Sequence, residues 1–311
     1  MATALYAHAD SLRHLTPPGH PEQVARMRAV ASALAAPEFA GLLRRDAPRA
    51  DPADILRAHP QTHLDAVAAS VPLTGFNPLD GDTFVSPGSL DAALRAVGGI
   101  CAAVDAVMTG EARNAFAAAR PPGHHAEATR AMGFCLFSNV AIAAKRALAV
   151  HGLDRVAIVD FDVHHGNGTQ DIVWDDPRIL FVSSHQWPLY PGTGRALETG
   201  AHGNVINVTL PANSGGAAMR AAYDTQVWPE LEEFEPQLLL VSAGFDAHAD
   251  DPLAALMWRE ADFAWLTGRL CDIAATHCGG RLVSGLEGGY DLDALGASVA
   301  AHVRVLMEHS E

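Results

Sequence analysis

Two stretches of the chain set carboxylates and an imidazole at spacings suited to gripping a cation. In AIVDFDVHHGNGTQ, Asp160, Asp162 and His164 are two residues apart, so along an extended strand they share a face. They follow the apolar run Ala157-Ile158-Val159. Carboxylates emerging from a buried strand are costly unless a cation or hydrogen-bond donors meet them. In VSAGFDAHADDP, Asp246 again follows an apolar strand, across a Gly-Phe turn; alone it would serve equally well as a helix cap. Together, Asp162, His164 and Asp246 form an O, N, O set with coordination positions left open, the arrangement of a catalytic metal site and not of a closed structural one. Zinc suits this mixed set, and ferrous iron or cobalt fits it nearly as well.

Two further stretches could complete such a centre. ARPPGHHAEA places His124 and His125 after a Pro-Pro-Gly turn, where neutral imidazoles beside a metal could supply a general base and its electrostatic partner. In SGLEGGYDL, Gly288 and Gly289 precede Tyr290; the glycines let a phenol be aimed into a cleft, where its hydroxyl can stabilise an oxyanion.

The elements that must position these residues alternate along the chain. Apolar, β-branched runs at 155–163, 178–184, 204–210, 237–244 and 281–288 read as buried strands, with a shorter strand-like NAFAAA before the paired histidines. Runs apolar at nearly every position are typical of a parallel sheet covered on both faces. Ala-rich segments at 21–35, 89–108, 138–150, 215–234, 260–277 and 292–309 have helical spacing. Such alternation predicts one α/β domain spanning 1–311. Residues 10–21 and 71–88, rich in Pro and Gly, read as surface loops. In an open parallel sheet chemistry gathers past the carboxyl ends of the strands, which is where the motifs fall.

Composition narrows the class. The 311 residues are 49% hydrophobic and 18% charged, with a formal net charge of −15. This is a folded globular chain, and its acidity argues against a nucleic-acid scaffold, while remaining compatible with cationic substrates. Cys101, Cys135, Cys271 and Cys278 lack CxxC spacing and read as reduced thiols in a cytoplasmic protein. The opening MATALYAHADSLRH has no signal-peptide pattern, and no apolar run looks long enough to span a bilayer, so no membrane partner is expected. No helical surface shows a heptad seam, and a homo-oligomer is left open.

With these stretches placed, the chain resembles the histone deacetylases and their bacterial relatives, including acetylpolyamine amidohydrolases and acetoin-utilisation proteins. The likeness runs from GHPEQVAR through GDTFVSPGSLDAALRAVGG, RPPGHHA, GFCLFSN, DFDVHHGNGTQ, SSHQWPLYPGTG and GFDAHADDP to EGGY, in the family's order. It implies the arginase/deacetylase α/β fold with an eight-stranded, predominantly parallel sheet. It also implies one zinc per chain on Asp162, His164 and Asp246, with His125 as general base and acid. His124, held by Asp160, would be the electrostatic partner, and Tyr290 the hydrogen-bond donor to the substrate carbonyl. Phe134 and Tyr190 would wall an acyl-lysine channel flanked by Gly123 and Gly133, with Asp82 on its rim. A structural potassium ion would sit on the backbone carbonyls of Asp160, Asp162, His164 and Ser184 and the Ser183 hydroxyl.

Some positions depart from the commonest pattern. Asn167 stands where one branch has Asp beside the second histidine, as in the class II branch; a neutral partner should raise the His125 pKa less. Tyr190 replaces the usual Phe, Val24 lies near a missing proline, and Leu253 stands where polyamine-selective relatives carry a glutamate. The expected activity is deacetylation of acetyl-lysine or a similar N-acylated amine. The alternatives are an acetylpolyamine amidohydrolase, ureohydrolase chemistry with two manganese ions, or an acyl-lysine binding module with a weakened site.

Overall fold

The computed structural model describes residues 2–310. In chain order its elements are β1 (Thr3–Ala7), α1 (Val24–Ala33), β2 (Leu43–Asp46), α2 (Pro52–Ile55), α3 (Gln61–Ser70), β3 (Asn77–Pro78), β4 (Phe84–Val85), α4 (Ser89–Thr109) and β5 (Asn114–Ala117). There follow α5 (Asn139–His151), β6 (Val156–Asp160), α6 (Asn167–Val173), β7 (Ile179–Gln186), β8 (Val205–Leu210), α7 (Gly216–Gln226) and α8 (Trp228–Phe234). The chain closes with β9 (Leu238–Ala243), α9 (Glu260–His277), β10 (Leu282–Leu286) and α10 (Leu292–Glu308).

Eight strands pair in the order β2-β1-β5-β10-β9-β6-β7-β8, every pair parallel. The period-two alternation of the central strands divides the core between the two faces. Val156 and Ile158 of β6, with Leu238 and Leu240 of β9, pack in the cluster that includes Ile100 and Val104 of α4 and Val140 of α5. Ala157 and Val159, with Leu239 and Val241, point the other way, into the cluster of Met27, Tyr223, Phe263 and Val303 from α1, α7, α9 and α10. Both faces being covered explains why these central strands are apolar at nearly every position.

The expected strands and helices are present, with instructive exceptions. The segment 215–234, read as one helix, is two, because Pro229 at the start of α8 cannot donate into a helix interior. β1 and β2 were not foreseen; β2, LRRD, is a largely exposed edge strand that needs backbone pairing and little burial. The segment 71–88 is not merely a surface loop: it holds the antiparallel pair β3–β4. The expectation that no run could span a bilayer is corrected by α4, which is long and apolar enough by length and composition. Its Ala, Val and Ile side chains instead face the fold's interior, packed on α5 and β5.

β5, β10, β9 and β6 are neighbours in the sheet, and their carboxyl ends lead respectively into RPPGHH, EGGY, GFD and DFDVHH. Motifs far apart in sequence thus meet at one edge.

Candidate active site

β6 ends at Asp160, so Asp162 and His164 lie on the turn beyond it and not within the strand as expected. The alternation survives in the turn: Phe161 and Val163 go into the core, while Asp162 and His164 face the other way. Backbone-to-carboxylate bonds fix the turn, with Asp162 N donating to Asp160 Oδ1 at 3.1 Å and His164 N to Asp162 Oδ1 at 2.9 Å. Asp246 arrives from β9 and closes the group: the ligand atoms of Asp162, His164 and Asp246 all lie within 4.8 Å of one another, and all three residues are buried.

One oxygen of each carboxylate is tied to backbone across the site, and the other is turned toward His164. Asp162 Oδ2 accepts from Gly288 N at 2.9 Å, and Asp246 Oδ1 from Val163 N at 2.8 Å. The opposite oxygens, Asp162 Oδ1 and Asp246 Oδ2, each stand 3.1 Å from His164 Nδ1. Two carboxylates and an imidazole converging in a buried pocket fit a divalent cation with N/O preference. Burial alone would lower the His164 pKa, but the bonds to Asp162 and Asp246 raise it to about 10, while burial and Asp162 raise Asp246 to about 7. A proton thus holds this cluster where a cation would displace it.

The paired histidines sit beside it with different electrostatics. His124 Nδ1 is 2.9 Å from Asp160 Oδ2. Burial opposes its charge, but Asp162 and Asp160 outweigh that and push its pKa well above the ordinary value. His125 Nδ1 is 2.8 Å from Asn167 Oδ1. Asn167 turns its amide nitrogen toward Glu127 at 2.9 Å, so its oxygen accepts and His125 carries its proton on Nδ1, leaving Nε2 as the base. Burial, and then the neighbouring His124 and His164, hold the His125 pKa well below its usual value. One histidine is thus kept charged and the other neutral, as a general base requires.

Asp82, His125, Gly133, Phe134, His164, Tyr190, Leu253 and Tyr290 line a cavity of about 230 Å³. The Tyr190 ring stands edge-on to His125 at 5.2 Å, and Phe134 edge-on to Tyr290 at 5.8 Å. Burial pushes the Tyr290 pKa well up, against the pull of Arg26, so its hydroxyl remains a donor. Phe134 is held at φ +70° by a 3.0 Å bond from its N–H to Thr83 Oγ1, which in turn donates to Asp82 at 3.1 Å. The segment read as a loop therefore builds one wall. Gly123 is not on the cavity; it packs against Asn139, behind the histidines. Asp160 and Asn167 also stand behind. Ser184 Oγ reaches Asp160 O at 3.4 Å and Tyr223 Oη at 2.7 Å, and Ser183 Oγ pairs with His185 Nδ1 at 3.0 Å.

Several residues that support the cluster carried no assigned role in the sequence. Glu287, buried at the end of β10, accepts from Gly123 N at 2.6 Å and His124 N at 3.1 Å, and burial raises its pKa to about 7. Arg26 spans the site's floor: Nε donates to Gly289 O at 2.6 Å, Nη1 to Glu22 at 3.0 Å, and its guanidinium lies 4.9 Å from the Tyr290 ring. Glu22 is also paired with the fully buried Arg120. Only the i,i+4 spacing of Glu22 and Arg26 hinted at this. Gly244 and Gly288 admit no side chain, because a Cβ at either would overlap the ligand carboxylates.

A buried Asp–His–Asp cluster beside a neutral histidine and a protonated phenol, at the carboxyl ends of a parallel sheet, has the parts needed to activate water and a carbonyl at one point. Comparison with known proteins makes the class specific: the chain belongs to the histone deacetylase family and is a hydrolytic deacetylase. The family model, Histone deacetylase domain, matches residues 20–306. The histone deacetylase-like amidohydrolase of Pseudomonas aeruginosa is 42% identical, across 88% of this chain and 73% of its own length. Histone deacetylase 14, chloroplastic, of Arabidopsis thaliana is 38% identical, across 98% and 77%. The crystal structure of the HDA15 HD domain superposes with a TM-score of 0.93 at 35% identity, covering 99% of this chain and 88% of that one. The sheet with its flanking helices is the arginase/deacetylase fold.

Proposed function

We propose that the protein is a zinc-dependent deacetylase, one domain over its whole length, that hydrolyses the amide of acetyl-lysine or a similar N-acylated amine to free amine and carboxylate. The observation that carries this is the Asp162–His164–Asp246 cluster, buried and with its ligand atoms all within 4.8 Å of one another. Zinc held there would polarise the amide carbonyl and acidify a water molecule. His125 takes the attacking water's proton at Nε2, with Asn167 fixing its tautomer, and returns it to the leaving amine. His124, kept charged by Asp160, stabilises negative charge, and Tyr290 donates to the oxyanion. Gly133, Phe134 and Tyr190 enclose the acyl-bearing stem, Asp82 meets the substrate at the rim, and Leu253 gives the mouth a neutral side. Potassium on the carbonyls of Asp160, Asp162, His164 and Ser184 and the Ser183 hydroxyl belongs to the same proposal, supported by the β6–β7 register that sets Asp160 beside Ser183. A reducing compartment such as the cytoplasm suits the four buried thiols.

Asp82 on the cavity, with Asp80 beside it, gives the acetylpolyamine alternative its footing. Turnover of acetyl-lysine peptides, acetylspermidine, acetylputrescine and longer acyl-lysines separates the two. Acetyl-lysine should lead; acetylpolyamines leading would overturn the substrate assignment. Within the preferred substrate, Tyr290→Phe should cost about 100- to 1,000-fold in kcat, and His125→Ala about 100- to 10,000-fold. Wild-type turnover in either variant refutes that residue's role.

A further inference from the structure

Between β7 and β8 the chain runs from 187 to 204 without helix or strand, largely exposed, with Leu197 91% exposed to solvent. This segment nevertheless carries Tyr190, whose ring must stand close to His125 to wall the cavity. A single carboxylate gathers it. Glu198 Oε2 accepts from Gly194 N at 3.0 Å and from Gln170 Nε2 at 2.9 Å, and Oε1 accepts from Arg195 N at 3.1 Å. Gln170 lies on α6, one turn beyond Asn167, the partner of His125.

The far side of Gln170 is closed as well. Because its amide nitrogen donates to Glu198, its Oε1 accepts from Asn207 Nδ2 at 2.8 Å and from His165 Nε2 at 2.9 Å. His165 Nδ1 then accepts from Thr193 Oγ1 at 2.8 Å, and His185 Nε2 donates to Gly194 O at 2.9 Å. The two histidine rings are 4.9 Å apart, and Gly194, at φ +86°, packs against both where a side chain would overlap them. Every polar atom of the Gln170 side chain has a partner on the loop, on β8 or on the turn after β6.

We propose that Glu198 and Gln170 are positioning residues, a latch that ties the Tyr190 loop to the helix beginning at Asn167 and so fixes the channel wall relative to the general base. The proposal rests on Tyr190 being a wall of the substrate channel, as read above. Neither residue touches substrate. Releasing the latch lets the wall withdraw, weakening substrate placement while leaving the zinc cluster and the base intact.

The test is a double-mutant cycle on the full-length zinc enzyme with an acetyl-lysine reporter, joined to hydrogen exchange of the 187–204 amides. Glu198→Gln keeps the shape but takes the negative charge out of all three hydrogen bonds and turns an N–H against at least one of the donors. It should raise KM about tenfold with kcat within about twofold, speed exchange across the loop, and leave zinc content unchanged. Tyr190→Ala should raise KM alone, and adding Glu198→Gln to it should raise KM no further. Equal KM penalties in both backgrounds would overturn the latch while sparing the channel wall, as would an unchanged KM in Glu198→Gln. An unaltered kcat/KM in Tyr190→Ala would instead remove the channel wall, and the latch with it.

Discussion

The two histidines of RPPGHHA are chemically identical and three bonds of backbone apart, yet the fold assigns them opposite charge states. Against burial, Asp162 and Asp160 hold His124 charged, whereas burial, with His124 and His164 beside it, keeps His125 neutral, the bond to the Asn167 amide opposing too weakly to reverse it. Replacing that amide by a carboxylate tests whether the partner sets the state. Asn167→Asp should raise the His125 pKa, and because the base must be neutral, the acidic limb of the kcat/KM profile should move up by about one pH unit. An unshifted limb assigns that limb to another group. At this scale the sequence was legible where chemistry is local: Asp162 and His164 share a turn, and their spacing alone announced them. Glu287 and Arg26 were opaque because their partners, Gly123 and Gly289, lie 164 and 263 residues away. No spacing encodes a contact made by the sheet's strand order.

The strands announced themselves by composition where both faces are covered, as in β6 and β9. They stayed silent where backbone pairing suffices, as in β2. The ends of the four central strands are more exacting than their middles. Gly288 follows β10 at the point where its N–H meets Asp162 Oδ2, and any side chain there would overlap both ligand carboxylates. Gly288→Ala should therefore weaken zinc affinity about 10- to 100-fold, the usual scale for disturbing groups that orient metal ligands. Competition with a chromophoric chelator measures it, and wild-type affinity would show that the strand end yields at no cost. The same close approach underlies Gly244, one residue past β9. Glycine in a strand-end motif reads as flexibility from sequence, but here it answers crowding.

Over the whole molecule, buried histidines outside the cluster are also kept neutral. Burial holds His302 down to about 3 and His59 down to about 4. His302 donates from Nδ1 to Thr267 Oγ1 at 2.7 Å, that hydroxyl itself donating to Phe263 O, and its Nε2 accepts from Ser284 Oγ at 2.9 Å. The folded pKa lies below the unfolded one, so the stability is present above about pH 6.5 and is lost as acid protonates the unfolded chain first. Between about pH 7.5 and about pH 5 this amounts to about 2 kcal/mol for one such histidine. Wild type should lose that much more stability than His302→Gln in denaturant titrations at the two pH values. Parallel losses would mean His302 titrates alike in both states.

Elemental analysis of purified protein tests most directly the proposal that Asp162, His164 and Asp246 hold a single catalytic zinc. Wild type should carry about one zinc per chain and Asp246→Ala well under that, with deacetylation falling in proportion. A full zinc complement in Asp246→Ala, or two manganese ions per wild-type chain, would contradict it.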